Sequence, residues 1–122
     1  MNATQGELME RNLDQVMNQR DPAKRRAAME SIYADDATFY EVDAVATGYE
    51  AVNAIIQSVL EKMPPDFVFH PTKPATENHN VGRLSWGVGP AGGPAVVTGT
   101  DVVLFKDGRI QSLYVFLDKT GD

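Results

Sequence analysis

The apolar residues of this sequence change period near Pro64-Pro65. Before that point they recur mostly at helical spacing; after it they alternate, as on one face of a strand. A chain patterned this way must lay helices against a sheet. Thr4-Gln5-Gly6-Glu7 fits a capping box, and Met9, Leu13, Val16 and Met17 then share one face of a helix that should run to about Gln19. Asp21-Pro22 opens a second helix, since Asp caps and Pro loses nothing at the first helical position. Asp35-Asp36 is expected to end it. Val52, Ile55, Ile56, Val59, Leu60 and Met63 give the third helix a continuous apolar face, which Pro64-Pro65 stops.

Strands are expected at Ala37 to Val42, Phe67 to His70, Val81 to Val88, Ala95 to Phe105 and Arg109 to Leu117, with a hairpin turn at Lys106-Asp107-Gly108. Residues 71–80 read as a Pro-punctuated connection and 89–94 as a turn of small residues. A tail from Asp118 should trail from the last strand. The order is α-α-β-α-β-β-β-β without repeats or linkers, so residues 1–122 form one α+β domain. Such a layout leaves room for a pocket between sheet and helices.

Composition narrows the partners. The formal net charge of −6 makes nucleic acid and anionic membranes poor partners. The only basic cluster, Arg20, Lys24, Arg25 and Arg26, reads as a solvated helix face. With no Cys there is no disulfide scaffold, thiolate metal site or Cys nucleophile. No apolar run reaches the roughly 20 residues of a membrane span, and Met1-Asn2-Ala3-Thr4 lacks a secretory layout. A cytoplasmic protein is expected.

Two acids could carry chemistry. Glu41 shares strand parity with Phe39 and Asp43. It either enters a pocket, where apolar walls would raise its pKa, or stands exposed at a strand end. Asp101 interrupts the apolar run Val97 to Phe105, and an unpaired buried charge is costly. It either faces a cavity with Val97, Gly99, Val103 and Phe105, pairs with a neighbour such as Arg83, or points outward. Trp86, the only Trp, could stack on a flat ligand or belong to the core. His70, His79 and Glu77 match no metal-ligand spacing; no metal and no cofactor are expected.

Ile32-Tyr33-Ala34-Asp35-Asp36-Ala37-Thr38-Phe39, Gly48-Tyr49-Glu50-Ala51-Val52 and the hairpin from Gly99 to Ile110 together resemble the nuclear-transport-factor-2-like superfamily, in particular SnoaL-like polyketide cyclases and ketosteroid isomerases. The resemblance covers nearly the whole chain in the right order. It implies a cone-shaped α+β barrel, with three N-terminal helices packed on a curved, mixed or antiparallel sheet. It also implies a pocket for a small apolar, polyketide-like or steroid-like molecule. Position by position, Glu41 falls where such enzymes place the carboxylate that moves a proton beside a carbonyl. Asp101 falls where they hold a neutral acid against the developing enolate. Phe39, Asp43, Trp86, Val97 and Leu113 are the other residues expected at the ligand.

This sequence departs from the isomerases in three places, one of them a longer second helix. Arg11 to Val16 holds no Tyr to act as a second donor, and Phe39 to Asp43 lacks their Asp-Pro. Two functions therefore follow from the resemblance: an isomerase or cyclase acting by proton transfer, or a binding or accessory domain without chemistry. Leu113, Val115 and Leu117 alternate with Tyr114 and Phe116, so both faces of the last strand are apolar. A homodimer through the sheet face is expected.

Overall fold

Local chemistry fixes where each helix begins. A computed structural model describes residues 3–118, and the tail expected beyond Asp118 lies outside them. Thr4 Oγ1 accepts from the Glu7 N–H at 3.1 Å while Glu7 Oε1 accepts from the Thr4 N–H at 2.8 Å. This reciprocal cap starts α1, Gln5–Arg11. The helix then widens into a π-helical stretch, Asn12–Met17, in which the Asn18 N–H reaches back to the Leu13 carbonyl. The Asp21 carboxylate caps the Ala23 and Lys24 N–H groups and opens α2, Pro22–Ile32. Gly48, at φ 91°, turns the chain into α3, Tyr49–Glu61, which buries Val52, Ile56 and Leu60.

The strands are β1 (Tyr33–Glu41), β2 (Ala44–Thr47), β3 (Phe67–Pro71), β4 (Thr76–Asn78), β5 (Val81–Pro90), β6 (Val97–Lys106) and β7 (Arg109–Leu117). They form one mixed sheet of seven strands in the order β2-β1-β7-β6-β5-β3, with β4 also paired to β5. Only β1 and β7 run parallel. The sheet curves without closing, so β2 lies at one edge and β3 and β4, both paired to β5, at the other. Three helices on a curved mixed sheet is the architecture expected from the sequence.

Several details differ from expectation. The second helix stops at Ile32, and Asp35-Asp36 lies within β1 at a shift in its pairing with β7. The short strands β2 and β4 are additional. Gln111 is an extra residue in β7, because Ser112 pairs with Leu104 while Ile110 pairs with Phe105. This bulge resets the alternation and lets Ile110 and Leu113 both face the core. The Gln111 side chain bonds to Asp36, tying the two irregular places together.

The helices lie against the face that carries Phe39, Leu84, Trp86, Val103, Phe105 and Ile110. The basic cluster is not the solvated face the sequence suggested. Arg25 is fully buried, with its guanidinium donating to the Gln19 and Arg20 carbonyls and to the side-chain oxygens of Asn53 and Gln57. Arg20 donates to the carbonyls of Leu60, Pro64 and Phe67. These two arginines clamp α2 and the residues just before it to α3 and the start of β3. Among the described residues no helix is long and apolar enough to cross a membrane.

Candidate functional site

The cavity follows from the way the strands register. Trp86 of β5 lies opposite Gly99 of β6. A side chain at Gly99 would stand 2.6 Å from the Trp86 ring and 2.5 Å from the Phe116 carbonyl, so only glycine leaves the indole its place. Lying across β6, the indole donates from Nε1 to Asp101 Oδ1 at 2.9 Å. Its ring meets Phe69 edge-on, with centroids 5.4 Å apart. Phe69 is held in turn by Asn18, whose side-chain amide exchanges two hydrogen bonds with the Phe69 backbone.

A cavity of about 230 Å³ opens between these residues and the helices. The π-helical stretch contributes Leu13 and Met17, and α3 contributes Val59 and Met63. Phe39 and Glu41 enter from β1, Val88 from β5, and Val97 and Asp101 from β6. Val115 and Leu117 of β7 complete the wall, and Leu117 is half exposed at its rim. Met17, Val59, Met63, Phe69 and the β7 pair were not legible as site residues, because only the fold brings them to one place.

The two carboxyls occupy different environments. Asp101 is only 6 % exposed, and burial pushes its pKa up to about 7, against the opposing pull of the Trp86 N–H. Oδ1 is taken by Trp86, and among the described residues Oδ2 has no hydrogen-bond partner. Near neutral pH this carboxyl can therefore carry a proton and donate it in a hydrogen bond. Arg83, the partner that sequence offered for Asp101, sits on the other face of the sheet and donates to Thr76 Oγ1. Glu41 is half buried at the end of β1, where Oε1 accepts from the Asp43 N–H at 3.0 Å. That bond orients the carboxylate.

The structure thus brings Glu41, Asp101, Phe39, Trp86 and Val97 to one cavity. It does not bring Asp43 or Leu113 there. The chain turns after Glu41, which ends the alternation, so the Asp43 side chain is exposed. Leu113 packs in the core instead of lining the cavity.

Behind Asp101, the buried Tyr33 hydroxyl donates to Asn12 Oδ1 at 2.5 Å. Burial, together with the nearby Asp101 charge, pushes the Tyr33 phenol above its usual range. Asn12 stands in the segment where the isomerases carry a Tyr, and its oxygen is committed to Tyr33. His70 lies beside Gly87 on β3, and His79 in the turn between β4 and β5. Among the described residues no three His, Asp or Glu side chains are grouped to hold a metal ion.

Residues 10–113 match the model of the SnoaL-like domain family. A candidate isomerase of that family from Agrobacterium tumefaciens has a similar solved structure, with 25 % identity, a TM-score of 0.84 and coverage of 93 % of this chain and 96 % of that one. A candidate SnoaL-like polyketide cyclase from Jannaschia sp. CCS1 shares 13 % identity at a TM-score of 0.75, covering 97 % of this chain and 91 % of its own. A nuclear-transport-factor-2-like protein of unknown function from Cytophaga hutchinsonii shares 18 % at a TM-score of 0.68, covering 97 % and 93 %. No curated protein matches. With a family model spanning most of its length and a fold shared with these structures, the chain belongs to the SnoaL-like domain family.

Proposed function

We propose that this SnoaL-like domain binds a small apolar carbonyl compound in the cavity and moves a proton on it, as an isomerase or cyclase does. The observation that carries this reading is Asp101: a buried carboxyl, pinned by Trp86, in an apolar cavity that Glu41 also lines. Glu41 takes a proton from the carbon next to the carbonyl. The electron pair moves onto the carbonyl oxygen, and Asp101, still protonated, donates a hydrogen bond to the enolate as it forms. Glu41 then returns the proton to carbon.

The test is exchange of the α-protons of a small enolisable ketone, such as 1-tetralone, in D2O by NMR. The wild type should accelerate exchange over buffer and Glu41→Gln should not. Equal rates in the two proteins would end the reading of Glu41 as base. One observation favours a second reading, a binding or accessory domain without chemistry: Asn12 is not among the residues that line the cavity, so its segment sets no second donor beside Asp101. Ketone binding without exchange in any variant would support it.

We propose further that a second copy of the chain covers the outer sheet face. Tyr40 and Tyr114, paired across β1 and β7, stack with centroids 4.2 Å apart and planes within 2°. Val45 on β2 and Val102 on β6 extend this apolar surface, as does Phe116 two residues along β7, and Val45 and Phe116 are mostly exposed. Apolar surface of this kind is what a self-complementary contact buries.

A further inference from the structure

The cavity also limits what can occupy it. We infer that its occupant is a neutral compound of one or two rings, carrying one oxygen that meets Asp101 and no carboxylate or phosphate. This rests on the reading of the cavity as the binding site, and it concerns the size and charge of the ligand, not the reaction.

Size comes first. An apolar cavity of about 150 Å³ takes a single benzene, and pockets for drug-sized ligands run from about 300 Å³ upward. At about 230 Å³ this one lies between them. Trp86, lying over Gly99 with its edge against Phe69, fills depth that a longer ligand would need. The wall opposite is fixed as well, because Arg20 and Asn18 fasten the chain that carries Met17 to α3 and β3. A four-ring skeleton would have to displace one of these side chains or leave rings in water.

Charge comes second. Among the described residues both ionisable groups at the cavity are acids, and no Lys, Arg or His lines it. A bound carboxylate or phosphate would lose its hydration, gain no cation and face Glu41 across an apolar space. A neutral oxygen meets the opposite situation. Trp86 occupies Asp101 Oδ1, so among the described residues the other oxygen of this buried carboxyl remains for the ligand. One such anchor with apolar walls elsewhere suits a ligand with a single polar end.

Three probes test this on the wild-type protein at about pH 6, by calorimetry alongside the emission of Trp86. 1-Tetralone is a neutral two-ring ketone, 1-naphthoate is an anion of the same size, and a steroid ketone has four rings. Tetralone is expected to bind and to alter Trp86 emission, with naphthoate and the steroid each weaker by about tenfold or more, the equivalent of about 1.4 kcal/mol. Naphthoate or steroid binding as tightly as tetralone would overturn the inference while leaving proton transfer by Glu41 intact. Tetralone bound selectively but never exchanging its α-protons would uphold the inference and remove the proposed reaction. Failure of all three to bind would overturn it together with the role of the cavity.

Discussion

Trp86 donates its indole N–H to Asp101 across a gap that Gly99 leaves open. The hydrogen bond depends on a residue with no side chain, because a methyl group at position 99 meets the indole on one side and the Phe116 carbonyl on the other. The carbonyl belongs to the β6–β7 pairing and cannot yield, so the indole must. Gly99→Ala is expected to cost about 1–3 kcal/mol of stability by overpacking. Denaturant unfolding measures that cost, and the emission of Trp86 should shift in the folded variant as its bond to Asp101 is lost. An unchanged spectrum at unchanged stability would contradict the close approach.

Asp101 should make stability depend on pH. Its folded pKa lies near 7, above the ordinary aspartate value of about 3.9. Between those limits the folded protein keeps a proton that the unfolded chain has lost. This contribution is fully present below about pH 4, falls as pH rises toward about 7, and changes no further above it. At about 1.4 kcal/mol for each unit the whole effect is on the order of 4 kcal/mol. Asp101→Asn still accepts from Trp86 and can still donate to a ligand. It should remove this slope and be the more stable protein at about pH 8. Urea titrations of both proteins across that range measure the difference.

Ligand binding should follow the same proton. A neutral ketone is held by the protonated carboxyl, so its affinity should decline as pH rises through about 7 in the wild type. In Asp101→Asn it should stay level, because the amide donates at every pH. Calorimetric titration with 1-tetralone compares the two profiles; parallel profiles would mean that Asp101 does not hold the oxygen.

Among the described residues, Arg25 holds the helices together without a carboxylate partner. Its four acceptors are two backbone carbonyls and the amide oxygens of Asn53 and Gln57. Arg25→Ala leaves them unpaired around a void, at a cost of about 3 kcal/mol or more. Arg25→Lys should recover little, since an ammonium cannot span the same fork. Thermal unfolding of both variants is the measurement.

Phe116 stands on the outer face, more than half exposed. If a second copy covers it, Phe116→Lys should yield monomers in sedimentation at micromolar concentration, with monomer stability changed by less than about 1 kcal/mol. A wild type that sediments as a monomer under the same conditions would remove the proposed dimer.

What could be read from the sequence was whatever short-range chemistry dictates. The Thr4–Glu7 cap, the apolar face of α3, and the turn at Asp107-Gly108, both at positive φ, each follow from neighbours in the chain. The elements that were missed depend on distant partners. β2 and β4 are short edge strands whose residues have no strand pattern of their own. The π-helical stretch and the bulge at Gln111 answer to packing and register. The burial of Arg25 was hidden because a row of cations usually faces water, and two of the four acceptors that make burial tolerable, Asn53 and Gln57, lie on α3. Asp101 stood out as an acid in an apolar strand. Its partner did not, because the pairing of Trp86 with Gly99 is a property of the sheet and not of either strand.

The surplus residue at Gln111 has a consequence for anyone redesigning this domain. Beyond it, Val115 and Leu117 look inward while Tyr114 and Phe116 look outward. Consecutive letters of one short segment thus address separate clients, the guest inside and whatever lies outside. Each can be rewritten alone by editing every other codon, provided the parity set at 111 is left untouched.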